Sequence, residues 1–149
     1  MPTELEVPQN VLNAVYGSSA EDWHQHPNGT GWVYKTAKVQ ESAYLHPTSI
    51  VYGNAQVYGN ARVLGEAWVL GYAWKRSVPY IQGSHHPLTL CSHTQIAIGC
   101  HVHDIAEWKK SYKVIGRAEG YSEDEIDEYG EHIAHLANMA ARLTKGSHA

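Results

Sequence analysis

Between residues 32 and 73 the apolar positions recur at every sixth place in the chain. Val33, Val39, Leu45, Val51, Val57, Val63 and Val69 form one column. Four places after each stands a small side chain: Ala37, Ala43, Ser49, Ala55, Ala61, Ala67 and Ala73. An α-helix repeats about every 3.6 residues and a strand about every 2, so neither period sustains this pattern. A coil with three flat sides does. Each repeat then supplies one short strand and one corner, and three repeats close one turn of the coil. The aliphatic residue points inward and the small residue fits the corner. The pairs Gly53-Asn54, Gly59-Asn60, Gly65-Glu66 and Gly71-Tyr72 supply backbone conformations that other residues resist.

On these columns the chain resembles the hexapeptide-repeat family of left-handed parallel β-helices, the bacterial transferase hexapeptide type, over residues 32–73. The resemblance implies a homotrimer, or a multiple of it, with the coils side by side. Stacking one full turn on the next puts Trp32, Ile50 and Trp68 in one outward column and Tyr34, Tyr52 and Leu70 in another. An exposed apolar face of that kind normally marks a contact surface, so either the C-terminal helices or other subunits are expected to cover it. The remaining outward positions carry Lys38, Gln40 and Gln56, then Tyr44, His46 and Arg62. Seven repeats make little more than two turns, too few to stand without partners.

The period breaks at Trp74-Lys75-Arg76, and residues 74–87 read as a loop or an irregular further turn. Two β-like runs, Leu88–Cys91 and Gln95–Cys100, suit a hairpin that caps the coil. Asp104-Ile105-Ala106-Glu107 reads as a capping box, with Ile105, Trp108, Tyr112 and Ile115 on one helix face before Gly120. Ser122-Glu123-Asp124-Glu125 opens a second helix whose inner stripe is Ile126, Tyr129, Ile133, Leu136, Ala140 and Leu143. The expected fold class is therefore mainly β with α: a short left-handed parallel β-helix, capped by a β-hairpin and two C-terminal α-helices. Its segments are residues 1–31, an N-terminal segment with one turn of helix near Val11; residues 32–87, the repeats and following loop; and residues 88–149, the hairpin and helices, whose tail after Leu143 should fray.

Composition narrows the function classes. The chain of 149 residues carries a formal net charge of −4 and no run of Lys and Arg, so no nucleic-acid polymer is expected as partner. No stretch approaches the roughly 20 apolar residues that span a bilayer, and Met1–Glu6 lacks the parts of a secretory leader, so no membrane partner is expected. Two cysteines, Cys91 and Cys100, suit free thiols in a reducing cytoplasm. Ten tyrosines, five tryptophans and no phenylalanine give aromatic surface with polar handles, the kind that meets ligands.

The tandem Tyr-Gly-Asn-Ala repeats (residues 52–55 and 58–61) precede Ile98-Gly99-Cys100-His101-Val102-His103 and then Glu107-Trp108. The combination resembles a group of small bacteriophage proteins whose repeats are followed by a Gly-Cys-x-x-His-x-x-x-Glu-Trp block, here Gly99, Cys100, His103, Glu107 and Trp108. It implies a phage or prophage origin, and with it the host cytoplasm, without supplying a reaction.

Eleven histidines invite metal chemistry, yet no Cys-x-x-Cys or His-Glu-x-x-His spacing occurs, and no metal or cofactor is expected. Three function classes remain. Proteins resembling the repeat family include acyltransferases with a histidine general base and a γ-class carbonic anhydrase, but only His46 lies inside the repeats. A phage assembly protein would use the coil for trimerisation alone. A non-catalytic binding protein would gather aromatic and basic residues to stack a base and hold a phosphate: Tyr44, Arg62, Trp74, Lys75, Arg76, Tyr80, His85, His86, His101 and His103. Sequestering a host immune nucleotide signal, as an anti-defence sponge, is the role expected of such a protein.

Overall fold

The computed structural model describes residues 6–99 and 101–146, so the start read for a leader, Cys100 of the Gly-Cys block and the last residues of the tail lie outside the described residues. The chain forms two compact units, Met1–Val78 and Pro79–Ala149. No helix among the described residues is long and apolar enough to cross a membrane.

In the first unit each repeat forms a short strand: β2 (Trp32–Tyr34), β3 (Lys38–Val39), β4 (Tyr44–Leu45), β5 (Ile50–Val51), β6 (Gln56–Val57), β7 (Arg62–Val63), β8 (Trp68–Val69) and β9 (Ala73–Trp74). An antiparallel strand β1 (Trp23–Gln25) precedes them. Successive strands fall in rotation into three sheets, ordered β1-β2-β5-β8, β3-β6-β9 and β4-β7. The parallel partners are the residues the period aligns: Val33 with Val51, Val51 with Val69, Val39 with Val57, and Leu45 with Val63. Val33, Leu45, Val51, Val57, Val63 and Val69 are fully buried, and Ala43, Ser49, Ala55, Ala61 and Ala67 are buried beside them.

Corners are stitched to one another along the stack. The hydroxyls of Thr36, Ser42 and Thr48 donate to the carbonyls of Gly53, Gly59 and Gly65 in the following turn. Gly53 adopts φ of +62°, and a Cβ there would lie 2.4 Å from the Leu70 carbonyl oxygen, so only glycine serves both the turn and the close approach.

The last repeat departs from the period. Val57 pairs with Trp74 and Gln56 with Ala73, a register one residue short of three full repeats. Ala73, aligned by spacing with the corner residues, lies on the strand instead, and Trp74 takes the inward place. Its side chain is fully buried, and the indole N–H donates to the Gly71 carbonyl at 2.8 Å. Tyr72, with φ of +78°, carries the left-handed corner in place of Gly71.

The apolar outward columns, expected to be covered by the C-terminal helices or by other subunits, are packed against the N-terminal segment of the same unit. Val7, Val11 and Trp23 form one buried cluster with Trp32, Ile50 and Tyr52, joined by Leu12, Val15, Tyr34, Trp68 and Leu70. Helix α1 (Gln9–Ala14) and β1 bring these residues in, and Trp23 meets Tyr34 edge-on at 5.0 Å. Ser18 ties the two together: its hydroxyl accepts from the Trp23 indole and donates to the Leu12 carbonyl.

The second unit is an antiparallel meander, β10 (Tyr80–Gln82), β11 (Pro87–Leu90), β12 (Gln95–Ile98) and β13 (His101–Asp104), followed by α2 (Ile105–Ala118) and α3 (Glu123–Gly146). The expected hairpin is its central pair. Strand β10 falls where the sequence predicts a loop, because the run between Pro79 and Gly83 is too short for an alternation to register. Trp108 is buried and its indole donates to the Ile96 carbonyl at 2.7 Å, locking α2 to the sheet. At the end of α2, Tyr121 N–H donates to the Gly116 carbonyl and Gly120 N–H to that of Arg117, with Gly120 at φ of +82°, the paired bonds of a Schellman cap. Ser122 and Glu125 cap α3 reciprocally, whereas the Asp104 side chain makes no cap bond at α2. All six residues of the α3 stripe are buried.

Trp23→Ala should cost about 3–5 kcal/mol, as removal of a buried tryptophan does, and should raise binding of an apolar dye to the uncovered face. Chemical denaturation and dye fluorescence check this. A change of the size seen for an exposed residue would mean that something other than the N-terminal segment covers Ile50 and Trp68.

Candidate functional site

The residues singled out in the sequence fall into two groups, one in each unit. In the first, Tyr44 and Arg62 are parallel partners on β4 and β7, and the Arg62 guanidinium lies over the Tyr44 ring at 5.1 Å. Both face outward, Arg62 exposed and Tyr44 half-buried. The chain following β9 returns along β7: Arg62 N–H donates to the Ser77 hydroxyl at 3.0 Å, and Val78 N–H to the Arg62 carbonyl at 3.1 Å. That return keeps exposed Lys75 and Arg76 immediately ahead of the Ser77 contact. Trp74, named with them, is not part of this surface, because its ring fills the interior and its N–H is committed to Gly71.

In the second unit the loop between β10 and β11 carries His85 and His86, and its conformation is set by α3. The Tyr129 hydroxyl accepts from the backbone N–H of His85 and His86 at 2.9 and 2.7 Å and donates to the His86 carbonyl at 2.7 Å. The Glu128 carboxylate accepts from both the backbone N–H and the hydroxyl of Ser84 and pairs with His132 at 2.7 Å. Gly83 is required here: a Cβ would lie 2.4 Å from the Tyr129 hydroxyl oxygen.

So held, His85 stacks on Tyr121 (centroids 4.4 Å apart, rings 17° from parallel) and pairs with Glu125 at 3.0 Å. His101 pairs with Glu119 at 3.1 Å, and His103 meets the Trp108 ring edge-on at 4.9 Å. Tyr80 is half-buried, its hydroxyl donating to Gln82 at 2.9 Å. His86, His101, Glu119 and Tyr121 rim a narrow cleft between the sheet and the helix pair, with Trp108, Tyr112, Tyr129 and four isoleucines as its walls. Its volume is about 30 Å³. One buried water needs about 10–15 Å³ of such space, so a nucleotide does not fit.

Tyr121, Glu119, Glu125, Glu128 and Tyr129 are not singled out in the sequence as site residues. Spacing places Tyr129 in the helix core, and its hydroxyl partners are remote from it along the chain. Burial pushes the Cys91 thiol up to about 12, which leaves it unreactive at neutral pH. The Ser84 hydroxyl donates to a carboxylate and not to an imidazole, so Ser84, Glu128 and His132 anchor a loop. Among the described residues no group of three His, Cys, Asp or Glu side chains converges as a metal site.

Comparison with family models, with curated proteins and with solved structures finds no match, so the reading of both groups of residues rests on their geometry.

The loop anchor is open to two tests. Tyr129→Phe strands two backbone N–H groups and should cost about 1–3 kcal/mol in a denaturant titration. The second test is pH. The Ser84 hydroxyl, first, and then its backbone N–H hold the Glu128 carboxyl below its ordinary 4.5, as the Ser122 backbone N–H does for Glu125. A carboxylate so lowered stabilises the fold above 4.5, and that stabilisation is lost as pH falls through its folded value. Amide exchange at Ser84, His85 and His86 should therefore accelerate beyond its intrinsic pH dependence below pH 4.5, and less so in Glu128→Gln.

Proposed function

We propose that the chain is a non-catalytic, phage-type ligand-binding protein that sequesters a nucleotide signal of host immunity in the cytoplasm. In this reading the repeats form a short left-handed parallel β-helix, and the working particle is a homotrimer or a multiple of it. The observation that carries the proposal is the Arg62 guanidinium lying over the Tyr44 ring on an outward sheet face, with exposed Lys75 and Arg76 on the segment bonded to the same strand.

A nucleotide offers a flat π-face and a phosphate. A guanidinium held over a phenol ring offers its own planar face to the first and its N–H fork to the second. Lys75 and Arg76, with Arg62 on the strand their segment is bonded to, also stand against a formal charge of −4 for the whole chain, which concentrates an anionic ligand there. His85, half-exposed and stacked on Tyr121, is a second aromatic platform, in the other unit. The small number of repeats supports the trimer: strands of two or three residues over little more than two turns are few for a coil that stands by itself.

Native mass spectrometry of protein from cells that make cyclic and other signalling nucleotides checks this. The expected result is a trimer or its multiple carrying a nucleotide mass that is released unchanged on denaturation. Tyr44→Ala with Arg62→Ala should weaken that binding at least about tenfold, ~1.4 kcal/mol, with little change in stability. A monomer, or a trimer that binds no member of a nucleotide panel in solution, would overturn the reading.

A further inference from the structure

The two helices of the second unit carry charge that their own chain does not pair. On α2, Lys109, Lys110 and Lys113 are exposed, and on α3 so are Asp124, Asp127 and Glu131. Among the described residues none of these six side chains forms a salt bridge. Lys113 lies 5.9 Å from the ring centroid of its neighbour Tyr112, and Arg117, the next basic residue along α2, is paired with Glu123. The exposed side of the pair is thus basic on one helix and acidic on the other.

The charges are spaced as rows. Lys110, Lys113 and Arg117 stand at i, i+3 and i+7, and Asp124, Asp127 and Glu131 repeat the same interval. Residues so spaced share one face of a helix, here over about 10 Å. Val114, exposed by 69%, stands three and four residues from Arg117 and Lys110 and adds an apolar contact to the basic row.

The heights of the rows decide what they fit. The turn after α2 sends α3 back along it: Arg117 reaches Glu123, a Cβ on Gly116 would lie 2.9 Å from Ile126, and one on Gly130 would lie 2.8 Å from the Tyr112 ring. A step up one helix is therefore a step down the other. On that count Lys110 stands level with Glu131, Lys113 with Asp127 and Arg117 with Asp124. A surface with opposite charges at equal heights complements itself. Half a turn about an axis parallel to the helices brings α2 of one copy opposite α3 of another without changing any height, and the same rotation makes the reciprocal contact. An anionic polymer or membrane would meet the acidic row beside the basic one, so the surface suits a partner with the same alternation.

We propose that the helix pair forms a two-fold contact with a second copy of this chain, in which Lys110 pairs with the partner's Glu131 and Lys113 with the partner's Asp127. The contact is separate from the trimer proposed for the repeats, because it uses the second unit alone. Exposed ion pairs are individually weak and are screened by salt, so the contact is reversible and sensitive to ionic strength.

Sedimentation equilibrium of the full-length protein tests this at about 0.1 M and about 1 M salt, between which the Debye length falls from about 10 Å to about 3 Å. The particle at the lower concentration should hold twice the chains of the particle at the higher one. A basic-row variant, Lys110→Glu with Lys113→Glu, and an acidic-row variant, Asp127→Lys with Glu131→Lys, should each remain at the smaller size in low salt. Mixed, they should restore the larger particle with equal shares of both, and circular dichroism of each should match that of the unaltered protein. Carbodiimide treatment of the unaltered protein in low salt, which joins lysine to carboxylate directly, should link Lys110 to Glu131 between isotopically distinct chains. One particle size at both salt concentrations, or doubling by either variant alone, would overturn the contact, as would mixed variants that stay small while the inter-chain link is missing.

Discussion

Everything in the first unit depends on one repeated contact, an aliphatic side chain stacked on the aliphatic side chain of the next turn. Strands this short hold too few hydrogen bonds to persist alone, and a ladder becomes stable only when the side chains beneath it are already dry. Val33, Val51 and Val69 in line, with Leu45 on Val63, supply that dryness, and half-buried Val39 pairs with Val57. The same stacking forces the corners into register. The hydroxyls of Thr36, Ser42 and Thr48 can then reach the glycine carbonyls of the following turn, so each of these corner carbonyls has a partner.

The second unit rests on a different device. There a single phenol, Tyr129, stands where the helix core meets the loop before β11 and satisfies three backbone groups at once. Its ring belongs to the apolar stripe of α3, and its hydroxyl belongs to the loop. Because one side chain serves both, the aromatic wall of the cleft and the two histidines near its rim are positioned together.

Much of the architecture was legible because period and burial are the same statement in a stack of repeats. The inward column, the corner column and the register of the strands all follow from counting by six. The stripes and the caps Gly120 and Ser122 were legible for the analogous reason in helices. Counting fails where geometry departs from it. Ala73 satisfies the spacing, yet a left-handed corner at Tyr72 shortens the last turn, and no residue type announces a positive φ at a tyrosine. The N-terminal cover was illegible because Val7, Val11 and Val15 make a short apolar run whose partner surface exists only after the repeats have stacked. The sites were legible in part. His85, His86, Arg62 and Tyr44 stood out by type, while Tyr121, Glu119, Glu125 and Tyr129 gain their roles through space.

The indole of Trp74 decides how far this stacking can run. A stack of short parallel strands with a regular step is an invitation to polymerise, since its last turn offers the next copy the same aliphatic column and the same corner carbonyls. Here the step is broken by one residue, and a bicyclic side chain stands where a valine would be. A further chain laid in phase with the column would meet a ring instead of a methyl pair and a corner displaced by a residue. The shortened turn is a full stop, and the length of the repeat is written into the same tryptophan that seals its end.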